Sequence, residues 1–223
     1  MRVAMVYHCP QTTYRLDDAL NEAGAVVERF HLESGDPVPG TDFDRVVILG
    51  GAMGAYDVHL HPWLEDEKAW IRSLVELGVP VLGICLGCQL LADALGGTAY
   101  KASHSEAGLV SISLTAAGRD DPVVSKTGPL VYTLHQDTFV VPTDATLLAQ
   151  TDRFPYAFRL GSALGLQFHP DADRDQALAW GKEEEPFLKA AGVDYDDYAQ
   201  VMVAAEPQLD RSSRAIFAAW LET

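Results

Sequence analysis

The most restrictive feature of this chain is a cysteine between two glycines, where an apolar run meets a helical pattern. Residues 79–95 read V-P-V-L-G-I-C-L-G-C-Q-L-L-A-D-A-L. The run enters the helix without a loop, so the chain turns sharply at Cys85, and Gly83 and Gly87 remove side chains that would collide there. The first turn of a helix favours a thiolate. The pattern therefore predicts a nucleophile at Cys85 rather than a small buried hydrophobe.

A candidate general base follows a second apolar run. Residues 165–171 read G-L-Q-F-H-P-D, and residues 163–168 are typical of a strand, so His169 lies at its end. Asp171 is close enough in sequence to bond one imidazole nitrogen, which leaves the other nitrogen to take the thiol proton. The alternative is a loop histidine beside an ordinary surface aspartate. Together with Cys85, the segment predicts a cysteine, histidine and aspartate triad.

A third apolar run ends in glycines. Residues 46–54 read V-V-I-L-G-G-A-M-G. Attack of a thiolate on an amide creates an oxyanion that needs two backbone N–H donors, and a loop without side chains lets the backbone approach it. We predict Gly51 and Leu86 as these donors. A plain tight turn between strand and helix is the alternative for the glycine pair.

These three segments, in this order, resemble the class I (triad-type) glutamine amidotransferases. The G-x-C-x-G-x-Q motif of that family matches residues 83–89, and its Q-F-H-P-E motif matches residues 167–170. The chain departs from the second motif at Asp171, where the family usually has the longer glutamate. Residues 106–108, 134–139 and 154–159 are also similar to family segments. The resemblance covers roughly residues 40–171 and is greatest to stand-alone members similar to the amidotransferase domain of GMP synthase.

The resemblance implies a reaction and a partner. Cys85 would attack the side-chain amide of glutamine, or another γ-glutamyl bond, and His169 would protonate the leaving nitrogen. Gln89 would help to bind the glutamyl group, whereas His135 is not expected to be the base. The substrate is glutamine or a γ-glutamyl peptide or amine, with no cofactor or metal. Any ammonia released would need an acceptor on a separate synthase subunit, or the enzyme simply hydrolyses its substrate.

Two other classes of protein remain open. Cys85 and Cys88 also form the C-x-x-C spacing of thiol–disulfide oxidoreductases. Against this reading, a redox pair needs neither the flanking glycines nor the segment that holds His169. The second possibility is a binding subunit that keeps the fold but has lost the catalytic contact of Asp171.

Composition limits partners and compartment. The chain has 223 residues, 48% of them hydrophobic, which fits one substantial core. A net charge of −16 argues against nucleic-acid and anionic membrane surfaces. No apolar run is long enough to span a membrane, and the first residues are typical of a strand rather than a signal segment. Three cysteines without a framework spacing fit a reducing compartment, so we expect a cytoplasmic protein. His59 and His61 lack the partners of a metal site.

Strand and helix patterns alternate over the first half of the chain. Thr12 or Thr13 can cap a first helix that runs to about residue 24, and residues 62–77 carry strong helix signals. Residues 109–168 favour antiparallel strands beside a parallel sheet. We predict one domain over residues 1–223, an α/β three-layer doubly wound fold with a mostly parallel, flavodoxin-like sheet and an added antiparallel segment. Residues 172–223 form a predicted helical extension, with helices at 173–191, 195–204 and 210–221.

Overall fold

The computed structural model describes residues 1–11 and 13–223. Within this part of the chain the strands alternate with helices up to α3, and most of the later strands follow one another before the C-terminal helices. The strands are β1 (Arg2–Tyr7), β2 (Val26–His31), β3 (Arg45–Ile48), β4 (Val81–Ile84), β5 (Thr98–Ser111), β6 (Ser113–Leu114), β7 (Leu130–Val140), β8 (Thr146–Gln150), β9 (Pro155–Leu160) and β10 (Ala163–Leu166). The helices are α1 (Tyr14–Glu22), α2 (Trp63–Glu76), α3 (Leu86–Ala94), α4 (Ala116–Asp120), α5 (Arg174–Glu183), α6 (Glu185–Ala190) and α7 (Tyr195–Glu222).

Eight strands form one twisted sheet in the order β2-β1-β3-β4-β10-β9-β8-β6, and β5 pairs with β7 in a separate antiparallel ribbon. The five strands from β2 to β10 are mutually parallel. Their order is the flavodoxin-like arrangement, in which ligands bind outside the carboxyl ends of the strands. The predicted fold class is confirmed by this sheet and by its antiparallel addition.

The sheet is covered on both faces. One buried cluster contains Met5, Val47 and Phe217, and a second, on the other face, contains Ala4, Ile48 and Ile71. Neighbouring strand residues point to opposite faces, so β1 and β3 contribute to both clusters and are apolar throughout their buried lengths. This two-sided burial fixes the ends of β3, β4 and β10, from which the site is built.

Several details differ from the sequence predictions. β10 lies within the region predicted to be antiparallel, yet it pairs parallel with β4 and antiparallel with β9. The predicted helix at residues 173–191 is two helices, because the chain restarts at α6 with Pro186 in its first turn. The predicted helices at 195–204 and 210–221 are one helix, α7. It continues past Pro207, since packing of its buried face outweighs the lost hydrogen bond.

The start of α1 also differs in detail. Thr13 precedes the helix, but its hydroxyl donates to the Asp17 carboxylate at 2.8 Å rather than accepting from a backbone N–H. Thr12, the other predicted cap, lies outside the described residues. No helix in the described part of the chain combines the length and the apolar character that a membrane span requires. The division into a single domain with a helical extension stays a prediction.

Candidate active site

Three neighbouring parallel strands deliver the predicted site residues to one edge of the sheet. β3 ends before Gly50 and Gly51, β4 ends before Cys85, and β10 ends shortly before His169. Ile48 pairs with Gly83, and Ile84 pairs with Leu166, so the three ends are level. A cavity of about 690 Å³ opens at this edge, and Gly51, Cys85, Gln89 and His169 line it. The structure therefore brings these predicted residues together.

Cys85 occupies a strained backbone conformation. Its φ is 52° and its ψ is −107°, and it is the one non-glycine residue with positive φ among residues 1–11 and 13–223. Such a conformation costs on the order of 1–3 kcal/mol in a residue with a Cβ. The turn aims the side chain out of the sheet edge and into the cavity at the first turn of α3.

Two glycines make this turn possible through close packing. A Cβ on Gly83 would lie 2.5 Å from the carbonyl oxygen of Gly87, and a Cβ on Gly87 would lie 2.1 Å from the carbonyl oxygen of Ile48. Both clashes are with backbone atoms, which cannot move aside. The glycines predicted to permit the turn therefore have a steric reason to be glycine.

His169 is held between the thiol and the acid. Its Nδ1 lies 3.1 Å from Asp171 Oδ1, and both side chains are almost completely buried. Burial alone would lower the pKa of His169, but the charge of Cys85, the charge of Asp171 and hydrogen bonds to both raise it to about 10. Trp180 of α5 packs edge-on against the imidazole, with ring centroids 5.0 Å apart. The shorter acid thus reaches the histidine, and the environment favours an imidazolium beside the sulfur.

Gln89 and Gln167 form a buried chain of hydrogen bonds that ends at the sulfur. Gln89 Nε2 donates to the backbone oxygen of Asp137 at 3.0 Å and to Gln167 Oε1 at 3.2 Å. Gln167 Nε2 in turn donates to Cys85 Sγ at 3.7 Å. Sequence reasoning does not select Gln167 as a site residue. The signal for it is a polar side chain between the apolar residues Leu166 and Phe168, in a segment predicted to be a buried strand.

A buried ion pair supports the glycine loop, and sequence reasoning misses it too. His8 donates from Nδ1 to the backbone oxygen of Leu49 at 3.1 Å, and its Nε2 lies 3.0 Å from Glu67 Oε1. Burial would lower the pKa of His8, but the Glu67 charge and the hydrogen bonds raise it. A Cβ on Gly51 would lie 2.7 Å from His8 Cβ, so the pair sits directly against the loop. His8 therefore helps to fix the peptide that precedes Gly50.

The remaining thiols differ from Cys85. Burial, followed by the charges of Glu33 and Cys85, raises the pKa of Cys9 to about 11. Cys88 is fully buried, and burial followed by the charge of Cys85 raises its pKa well above the ordinary value. All three cysteines are free thiols. Neither Cys9 nor Cys88 is therefore a ready thiolate at neutral pH.

His135 also lies in the cavity wall, but both of its ring nitrogens are engaged. Nδ1 lies 2.9 Å from the Asp137 backbone oxygen, and Nε2 lies 3.2 Å from the Tyr156 hydroxyl. Tyr156 donates in turn to Glu106, which faces His135 across the β5–β7 ribbon. This network agrees with leaving His135 out of the predicted triad. The catalytic, oxyanion and substrate-binding roles themselves stay predictions.

A parallel α/β sheet with a strained cysteine turn, a histidine and an acid at its carboxyl edge defines the amidotransferase type of fold and site. The family model described as "Glutamine amidotransferase class-I" matches residues 5–177. The chain therefore belongs to the class I glutamine amidotransferase family, as its motifs predicted.

Relatives with curated names point the same way. The chain is 32% identical over 163 residues to "GMP synthase [glutamine-hydrolyzing]" of Leifsonia xyli subsp. xyli, a match that covers 68% of this chain and 30% of that enzyme. It is also 32% identical over 151 residues to a separately encoded subunit of "GMP synthase [glutamine-hydrolyzing]" from Halobacterium salinarum, covering 66% and 70% of the two chains. The match thus spans less than a third of the Leifsonia enzyme.

Solved structures extend the similarity to the whole fold. A glutamine amidotransferase from Thermotoga maritima superposes with a TM-score of 0.88 at 25% identity, over 100% of this chain and 99% of that one. A glutamine amido transferase from Methylobacillus flagellatus gives 0.87 at 23% identity, over 99% and 93% of the two chains. The C-terminal helices are therefore part of a fold that other proteins share.

Proposed function

We propose that this protein is a cysteine-dependent hydrolase that cleaves the side-chain amide of glutamine through a thioester. The observation that supports this most directly is the strained turn that presents Cys85 beside His169, which Asp171 holds at 3.1 Å. A thiol so placed is ready to lose its proton to the imidazole, and the acid holds the imidazole in one orientation.

The first half of the proposed reaction forms the thioester. The Cys85 sulfur attacks the amide carbon, and the oxyanion that forms accepts hydrogen bonds from the backbone N–H groups of Gly51 and Leu86. The N–H of Leu86 belongs to the first turn of α3, where no earlier helical carbonyl can accept it. The imidazolium of His169 then gives its proton to the leaving nitrogen, the C–N bond breaks, and ammonia departs.

The second half releases glutamate. Neutral His169 takes a proton from water, the hydroxide oxygen attacks the thioester carbon, and the C–S bond breaks to return the thiolate. Asp171 stabilises the imidazolium each time it forms. Gln89, oriented by its two hydrogen bonds, is placed in the cavity wall to contact the glutamyl group.

The size of the cavity favours a second candidate substrate. A volume of about 690 Å³ is in the range that accommodates drug-sized ligands, whereas glutamine is a small amino acid. A γ-glutamyl peptide or amine would fill more of this space while presenting the same bond to Cys85. If glutamine is the substrate, the ammonia passes to a separate synthase subunit, in line with the name of the Halobacterium relative.

The other readings have less support. Thiol–disulfide exchange needs a second accessible thiolate, but Cys88 is fully buried and burial raises its pKa. A silent binding subunit would need no contact between Asp171 and His169, and that contact is present.

The test is a panel of substrates combined with covalent labelling. Purified protein is incubated with glutamine, γ-glutamyl peptides and γ-glutamyl amines, and released ammonia, amine and glutamate are measured. A glutamine-derived diazoketone should add one glutamyl-like group to Cys85, located by peptide mass mapping, and the Cys85→Ala variant should neither turn over nor be labelled. A lack of labelling in the wild type, or turnover retained by Cys85→Ala, would refute the mechanism.

A further inference from the structure

The acid of the proposed triad is aimed by its backbone rather than by its own hydrogen bonds. Asp171 is fully buried, and one carboxylate oxygen contacts His169. The other oxygen, Oδ2, has no hydrogen-bond partner among the described residues. A short side chain with one bonded oxygen takes its direction from the backbone that bears it. What holds residues 170–172 therefore decides whether the acid reaches the imidazole.

The last helix holds the residue before the acid. Ser213 lies on α7, is 2% exposed, and donates from its hydroxyl to the backbone oxygen of Pro170 at 2.6 Å. Because proline has no N–H, its carbonyl is the only backbone group through which this residue can be hydrogen-bonded. Ser213 is thus well placed to fix the peptide between Pro170 and Asp171.

The first helix holds the residue after the acid. Arg15 lies on α1, is 4% exposed, and donates from Nη1 to the backbone oxygen of Ala172 at 2.7 Å. Its Nη2 bonds Glu206 of α7 at 2.7 Å, and Nη1 also lies 3.4 Å from the Ser213 hydroxyl. The two supports are therefore connected to each other, and both peptides that flank Asp171 are held.

We infer that Ser213 and Arg15 are positioning residues for the catalytic acid, which makes the C-terminal helix a working part of the active site. This inference rests on the proposed function. Ser213 lies beyond residues 5–177, the part that the family model matches, so nothing in that match assigns it a role. Removing the hydroxyl should let the Asp171 peptide rotate and weaken the carboxylate contact with His169, with little effect on substrate binding.

The first experiment is a double-mutant cycle between Ser213→Ala and Asp171→Asn, read by ammonia or amine release. We expect Ser213→Ala alone to lower kcat about tenfold with KM unchanged, and to lower it less than about twofold when Asp171 is already Asn. Ser213→Thr, which keeps the hydroxyl, should restore most of the activity. The matched control is Ser212→Ala, since the neighbouring Ser212 hydroxyl instead accepts from the Gly128 backbone N–H. Equal losses in both backgrounds, or no loss at all, would overturn the inference.

A second variant covers the case in which Ser213→Ala does not fold, as judged by circular dichroism. Glu206→Gln weakens the ion pair that orients Arg15 from a partly exposed position, so it should be tolerated. We expect it to lower kcat about threefold in the wild-type background and to have no further effect on Asp171→Asn. Additive losses here would contradict the inference in the same way.

A titration separates this inference from the proposed function. The imidazole of His169 is followed by NMR in wild type and in Ser213→Ala. We expect the midpoint to fall by at least about half a pH unit in the variant, because a weaker contact with Asp171 stabilises the imidazolium less. An unchanged midpoint refutes the positioning role even if the enzyme turns over. A lowered midpoint in a protein that hydrolyses no substrate would support the positioning and refute only the proposed function.

Discussion

Gly87→Ala is the sharpest test of how the nucleophile turn is built. The new Cβ would lie 2.1 Å from the carbonyl oxygen of Ile48, which is 1.3 Å short of the 3.4 Å of an ordinary contact. Ile48 belongs to β3, which is paired on both sides, by β1 and by β4. The clash is with strand backbone rather than with a flexible side chain, so α3 must move away from the sheet.

The expected cost follows from that displacement. Overpacking of a core typically costs about 1–3 kcal/mol and sometimes more, and a backbone clash belongs at the upper end. A loss of about 3 kcal/mol in the free energy of unfolding lowers the Tm of a chain this long by about 6–12 °C. A shift of about 1 Å at the start of α3 moves both Cys85 and the Leu86 N–H, and such a misplacement costs about a hundredfold in rate.

The assay is differential scanning calorimetry together with kcat on the best substrate of the panel. Gly40→Ala is the matched control, because Gly40 is exposed, lacks a positive φ and would place its Cβ more than 4 Å from any neighbour. Its Tm should stay within about 2 °C of wild type. If Gly87→Ala also stays within about 2 °C and about twofold of wild-type kcat, the steric account of the turn is wrong.

Three further results are expected. Turnover should be lost as the pH rises through about 10, because deprotonation of His169 there removes the proton that the leaving nitrogen needs, and a pH profile of kcat will show whether the basic limb lies there. Glu67→Gln should destabilise the protein by about 3–5 kcal/mol, since it leaves His8 without its buried counter-charge, whereas Glu65→Gln on the exposed face of α2 should leave the Tm nearly unchanged; calorimetry compares the two. Asp171→Asn should lower kcat by orders of magnitude while diazoketone labelling still maps to the same thiol; wild-type kcat in this variant would exclude the acid from the mechanism.

The turn itself was predictable because its causes are local. An apolar run, a helical pattern and two glycines within five residues determine the backbone path around Cys85, and the structure confirms that path. The convergence with His169 was also predictable, since carboxyl ends of parallel strands share one edge of a sheet. What local pattern could not give was the parallel pairing of β10 with β4, because strand direction depends on how the whole chain crosses the sheet.

The supporting contacts were not predictable for a related reason. His8 meets Glu67 across 59 positions, and Arg15 meets Ala172 across 157. Neither partner carries a motif, and each charged residue alone fits an exposed helix or strand end equally well. Only the packing of α1 and α2 against the sheet selects the pairs, so a single sequence holds no signal for them.

These contacts explain why the strain at Cys85 can persist. A positive φ in a residue with a Cβ costs on the order of 1–3 kcal/mol, so a loosely held turn would relax and withdraw the thiol. Here the Cys85 N–H donates to the Leu166 backbone oxygen at 2.8 Å, and the Gly87 N–H donates to the Leu49 backbone oxygen at 3.2 Å. The first bond ties the turn to the strand that precedes the histidine, and the second ties it to the loop that precedes Gly51. The same hydrogen bonds that maintain the strained cysteine therefore set its position relative to both the base and the predicted oxyanion donor.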